Sequence, residues 1–266
     1  MDAAANAFVV LILLLGSAAA GILVHPLLSE RHRSLEMTDF LRLVATMLIT
    51  FVALVLGLLT TSAKASYDKV GNDLKGFSIA IIQLDRLLRE WDGATEPARA
   101  LLRDYTASAI ATTWRDEPRP AGNYHFALPV SSVSPLSESP ALGDMLNRIE
   151  LDIRRLDGQD PIHHRLAADC LAQMQHLMQI RWRLIEESGS SITTPFYMIL
   201  VFWLIIMFAS FGLTAPRNFL SYTAIALGAL AIASVVFVIL ELDTPFSGVI
   251  AVSSQSMRDA LAHLNH

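Results

Sequence analysis

The chain has 266 residues with a formal net charge of −5, and 53% of them are hydrophobic against 17% charged. Its mean hydropathy of +0.45 is too high for a water-soluble domain of this length. The acidic balance excludes a nucleic-acid partner, which needs a basic surface. A single cysteine, Cys170, excludes an intramolecular disulfide.

The excess apolar content is concentrated in four runs: Phe8–Val24, Leu43–Thr61, Phe196–Leu213 and Phe219–Leu240. Each approaches or exceeds the roughly 17–25 residues of a membrane-spanning helix, and none contains Asp, Glu, Lys, Arg or His. The first run has no positively charged segment before it, as a secretory signal would, so it is expected to be a retained helix. The Pro26–Arg42 loop carries Arg31, Arg33 and Arg42, and the Thr214–Asn218 loop carries Arg217. Positive charge on short loops marks the cytoplasmic side. Both termini and the long insert between runs two and three are therefore expected in the periplasm of a bacterial plasma membrane.

In the insert, Tyr67, Val70, Leu74, Phe77, Ile81, Leu84, Leu88 and Trp91 follow a 3-4 spacing, which makes one apolar stripe on a helix. No proline separates this stretch from the second run, so one long helix is predicted to leave the membrane and continue to about Trp91. Gly71 and Gly76 weaken it locally, and Asp92-Gly93 ends it. Thr95-Glu96-Pro97 carries an N-cap followed by proline and opens a helix to about Trp114, with Leu101, Leu102, Tyr105, Ala109 and Thr112 on one side. Asp116–Pro140 holds five of the eleven prolines and is expected to be a loop. Ser139-Pro140 starts a helix to about Leu156. Asp160-Pro161 starts the last helix of the insert, with Leu166, Cys170, Met174, Leu177, Arg181 and Leu184 along its seam and Gly189 as its C-cap. Thr194-Pro195 caps the third membrane helix. The first and last insert helices should run antiparallel as extensions of membrane helices two and three.

The expected fold is all-α. Four transmembrane helices carry an extramembrane helical bundle between helices 2 and 3, divided as 1–62, 63–190, 191–242 and a C-terminal tail 243–266.

Candidate chemistry is sparse. No hydrolase, nucleotide-binding or metalloprotease signature is present, and no two histidines share an i,i+4 face, so no enzyme is expected. Without ionisable residues in the membrane runs there is no side-chain proton relay. The second run does carry a small and hydroxyl-bearing stripe: Thr46, Thr50, Ala53, Gly57 and Thr61, with Lys64 beyond. It would either line a narrow pore in an oligomer or let helices approach closely, as Ser17/Gly21 and Ala224/Gly228 would. After the fourth run, Glu241 and Asp243 sit at a helix C-terminus, where the macrodipole favours cations. Lys64, Arg183 or a bound Ca²⁺ or other cation would stabilise them, and Gly248 permits a turn returning Phe246 to the membrane interface.

Four stretches carry a family resemblance: Leu56–Leu59 with Ala63–Asp68, Gly189–Ile192, Phe208–Leu213 with Ala215–Asn218, and Leu240–Gly248. The chain resembles the bacterial bestrophin-like family of unknown function, with Thr244 where that family commonly has Arg or Gln. The resemblance implies kinship to bestrophins, pentameric Ca²⁺-regulated anion channels with four membrane helices per subunit and their bulk in the cytosol. That sidedness is opposite to the one the loop charges predict. Two functions are expected to compete: a homo-oligomeric channel passing inorganic ions, with helix 2 along the axis, and a non-conducting sensor or scaffold whose helical insert binds a partner.

Overall fold

The computed structural model describes residues 3–27, 35–91, 93–125, 140–156, 160–189 and 194–266, with the backbone alone for 27, 35–38, 41, 42 and 194. These residues form eight α-helices and no strand: α1 Ala3–Val24, α2 Leu35–Arg89, α3 Glu96–Thr113, α4 Pro140–Arg154, α5 Pro161–Glu187, α6 Thr194–Thr214, α7 Phe219–Leu242 and α8 Gln255–Leu264. Helices α1, α6 and α7 and the first part of α2 are long and apolar enough to cross a membrane. The chain divides into two compact units, Met1–Ser66 with Ser190–Asp243, and Tyr67–Gly189 with Thr244–His266.

In the first unit, α1 packs against α6 and α7. Its buried positions are Ala7, Val10, Leu14, Ala18 and Gly21, a face narrowed by small residues. Gly21 and Gly212 are the closest approach. A Cβ on Gly212 would overlap the Ala18 carbonyl, and one on Gly21 would overlap that of Ala209. Without a hydrophobic drive between helices in lipid, such close backbone contact is what holds them. Gly228 has only the tip of Phe208 within reach, so it does not play the part expected of it. Phe51 of α2 meets Trp203 of α6 edge to face, 6.4 Å between centroids.

In the second unit, α2 and α5 run antiparallel. Lys69 pairs with Glu187 at 2.5 Å and Arg183 with Asp73 at 3.6 Å. Gln173 donates to the Ala80 carbonyl, and the Trp91 ring meets that of His163 at a tilt of 58°, 5.0 Å between centroids. Val70, Leu74, Phe77, Ile81, Leu84, Leu88 and Trp91 are buried as the spacing predicts, with Tyr67 at the edge of the core. Opposite them lie Leu166, Cys170, Met174, Leu177, Arg181 and Leu184, all buried. Arg181 in that apolar series is the exception, a charged group inside the core.

Several local expectations change. Helix α2 starts at Leu35, so Arg42 belongs to a helix rather than to a loop; Arg31 and Arg33 lie outside the described residues. Thr95 does not cap α3 with its side chain. Its hydroxyl donates instead to the Leu88 carbonyl at 2.6 Å, satisfying the end of α2. Leu102, Tyr105 and Ala109 are buried as expected. Leu101 and Thr112 are only half-buried, and Thr106 to Ile110 are also enclosed because α4 and α8 cover the far side. Asp160 does cap α5, accepting from the His163 backbone N–H at 2.7 Å. Ser188 rather than Gly189 closes that helix, in an ordinary right-handed conformation. Asp92, Asp157-Gly158, Ser139 and most of the Asp116–Pro140 stretch lie outside the described residues, as do Ser190 to Thr193, so no continuity of α5 into α6 is described.

The C-terminal stretch read as a tail is a folded part of the second unit. Thr244 and Pro245 end α7, and Gly248 takes φ +90°, as the turn requires. Phe246 does not return to a membrane interface; it is buried against Trp114, 5.8 Å between centroids. The Trp114 indole N–H donates to the Val252 carbonyl at 2.7 Å. Helix α8 then lays Met257, Ala260, Leu261 and Leu264 onto the core. Its ends are fastened by Arg258 to Glu117 at 2.9 Å and by Arg89 to the His263 carbonyl at 2.8 Å.

Candidate functional site

The candidate site is a surface of α2. Within one chain Ala45, Val52, Leu56 and Ala63 of this helix are buried, whereas Thr46, Thr50, Ala53, Gly57, Thr61 and Lys64 are all exposed. At about 100° per residue the exposed six fall on one side of the helix axis. A second exposed strip, Leu43, Met47, Leu54 and Leu58, runs beside them and is wholly aliphatic. The outer surface of α2 is therefore split lengthwise, one half small and hydroxyl-bearing, the other half greasy.

Two of the hydroxyls on the small half bond within the helix. Thr50 donates to the Thr46 carbonyl at 3.0 Å and Thr61 to the Gly57 carbonyl at 2.9 Å. Each leaves its lone pairs and methyl outward, a weakly polar wall without fixed charge. Gly57 has nothing within 4 Å of where a Cβ would stand, so no close packing inside the chain demands a glycine there. Packing within a single chain therefore does not account for the small residues of this stripe, although it fully accounts for Gly21 and Gly212.

Glu241 and Asp243 are both buried at the end of α7, where Asp243 is the C-cap and its N–H donates to the Ile239 carbonyl at 3.1 Å. Arg183, one of their expected partners, is committed to Asp73 at 3.6 Å. Among the described residues no group of three or more His, Cys, Asp or Glu side chains is arranged to hold a metal.

One feature escaped the sequence reading. Upstream of Tyr67 only Leu56 and Ala63 continue the 3-4 register of α2 as buried positions; the buried Ala45 and Val52 stand one residue off it, and its positions Thr46, Ile49 and Ala53 are exposed. In a segment where every neighbour is apolar this shift of the buried face has no contrast that a spacing could show.

The architecture and its split α2 surface define a polytopic α-helical membrane protein. The bestrophin-like domain model matches residues 12–257, and the chain belongs to that family. In fold it is similar to crystal structures of a bacterial bestrophin homologue from Klebsiella pneumoniae. One variant of that protein superposes with TM-score 0.65 at 16% identity, covering 97% of both chains. A second gives TM-score 0.64 at 15% identity, covering 98% of this chain and all of the other. No curated protein matches the chain in sequence.

Proposed function

We propose that the protein is the subunit of a homo-oligomeric ion channel in a bacterial plasma membrane, with the small and hydroxyl-bearing face of α2 lining the central axis. The observation that carries this reading is the exposure of Thr46, Thr50, Ala53, Gly57, Thr61 and Lys64 beside a greasy strip on the same helix. A lipid-facing helix gains nothing from such a division. In a ring of copies, one half would face the axis and the other a neighbour or lipid. Family membership and the fold likeness to a bacterial bestrophin homologue support the same reading. The protein is a conduit for inorganic ions rather than an enzyme.

Purified protein in liposomes should pass ions, and Thr50→Trp should reduce flux at least about tenfold while leaving the oligomer intact on a sizing column. Unchanged conductance in Thr50→Trp would remove α2 from the axis. Wild-type liposomes silent at every voltage, pH and Ca²⁺ concentration would favour the non-conducting sensor.

A further inference from the structure

A cavity of about 450 Å³ opens in the second unit between residues 67–75 of α2 and the start of α8, a size that small-molecule sites commonly have. Asp68, Asn72 and Lys75, spaced four and three along one face of α2, line one wall, and Ser253, Gln255 and Ser256 line the other. Gly71 lies on the same wall of α2, where a Cβ would meet nothing within 4 Å, so no side chain fills the space there. The polar groups of this cavity are not spent on one another. Among the described residues, the side chains of Asn72, Lys75 and Ser256 make no hydrogen bond or ion pair. The start of α8 is open as well. Ser254, its N-cap residue, makes no capping bond with its side chain; the hydroxyl donates to Glu117 and accepts from Arg258 at 2.7 Å. The Gln255 N–H goes to the Ser253 hydroxyl at 3.2 Å and the Met257 N–H to the Ser254 carbonyl at 3.0 Å. Between them, the Ser256 N–H has no backbone acceptor among the described residues.

We propose that this cavity binds a small zwitterion of the phosphoethanolamine class, with its phosphate at Lys75 and the start of α8 and its ammonium at Asp68. The Lys75 ammonium, the Asn72 amide, the Ser256 hydroxyl and the Ser256 N–H are four donor groups at one end of the cavity. A phosphomonoester offers them three terminal oxygens, whereas a carboxylate offers two and leaves donors over. The positive end of the α8 dipole adds to the Lys75 charge. Asp68 sets the other requirement. It lies two turns from Lys75, about 10 Å along the helix axis, and repels any plain anion that fills the cavity. An ammonium on the ligand turns that repulsion into attraction. The volume takes phosphate, two-carbon linker and ammonium together. The same chemistry occurs in the dissolved molecule and in the headgroup of phosphatidylethanolamine.

The test is calorimetric titration of the full-length protein in maltoside detergent and phosphate-free buffer. The ligands are phosphoethanolamine, soluble dihexanoyl-phosphatidylethanolamine and inorganic phosphate. At least one of the first two should bind about tenfold or more tightly than inorganic phosphate. Heat from phosphoethanolamine identifies a dissolved ligand, and heat from the short-chain lipid alone identifies the lipid headgroup. Lys75→Met should weaken binding about tenfold or more. Gly71→Leu, which fills the cavity and keeps every polar group, should abolish it. Neither change removes an internal bond or meets a neighbouring atom, so both should fold as the wild type does. Asp68→Asn should weaken the zwitterion and leave inorganic phosphate no weaker. No heat from either phosphoethanolamine ligand, inorganic phosphate bound as tightly as the zwitterion, or undiminished binding in Gly71→Leu would each overturn the assignment.

Discussion

Glycines do opposite things in the two units. At Gly212 the helix backbone of α1 occupies the space a side chain would need, so Gly212→Val must push α1 and α6 apart. Overpacking of this kind costs about 1–3 kcal/mol or more, and the purified protein should melt several degrees lower. At Gly76 a Cβ would meet nothing, and replacing glycine by alanine in a helix interior gains about 0.5–1 kcal/mol. Gly76→Ala should therefore raise the melting temperature; a fall would show that a neighbouring copy closes on that surface. The carboxylates of α7 belong to the same scale. If Glu241 and Asp243 hold a cation, calorimetric titration with Ca²⁺ should give heat that Asp243→Asn abolishes. The absence of heat from Ca²⁺ and Mg²⁺, with unaltered behaviour of Asp243→Asn, would leave them as a buried helix terminus alone.

Each long helix of the second unit is ended by chemistry that can be tested separately. Asp160 accepts from the backbone N–H of His163 and from its ring, and these bonds hold its carboxyl below the usual carboxylate range. A lowered native pKa means that the cap's contribution is complete above the unfolded value near 4. It is lost as pH falls through the lower, native value. Acid should therefore loosen the start of α5 first, read by amide exchange at His163 and His164, and Asp160→Asn should flatten that pH dependence. Helix α8 shows a different route to order. Its pattern of Met257, Ala260, Leu261 and Leu264 is helical in the sequence, yet ten residues of marginal helix gain their stability from the surface of α3. The Trp114 bond to Val252 and the Arg89 bond to the end of α8 come from residues far away in the chain.

For the whole molecule, the folding of Thr244–His266 into the second unit means that the C-terminus lies wherever the insert lies. Four crossings also return the N-terminus to that side. One accessibility measurement thus orients everything. In a chain with Cys170 replaced by alanine, Ala121→Cys should react with an impermeant maleimide added to intact cells if the insert is periplasmic, as the loop charges predict. Labelling only after permeabilisation would place it in the cytoplasm and reverse both termini with it. The continuous α2 contributes residues to both units, so on the proposed channel reading a shift of its second half would be a direct route from the insert to the gate.

How much of this was legible in the residues follows from contrast. Apolar length alone located the four spans, because no charged residue interrupts them. The 3-4 spacing from Tyr67 to Trp91 and from Leu166 to Leu184 stands out against polar neighbours, and it gave α2 and α5 their paired faces. The Thr46–Lys64 stripe was visible by composition. Whether it is packed or exposed was not, since small residues serve a tight helix contact and an open wall equally well. Only the tertiary structure decided that Gly21 and Gly212 are the tight contact and that Gly57 faces outward. It likewise turned the tail into a docked helix and buried Arg181 in the seam between α2 and α5. Local patterns record which face of a helix avoids water. Which partner covers that face depends on residues distant in the chain, and no local spacing encodes them.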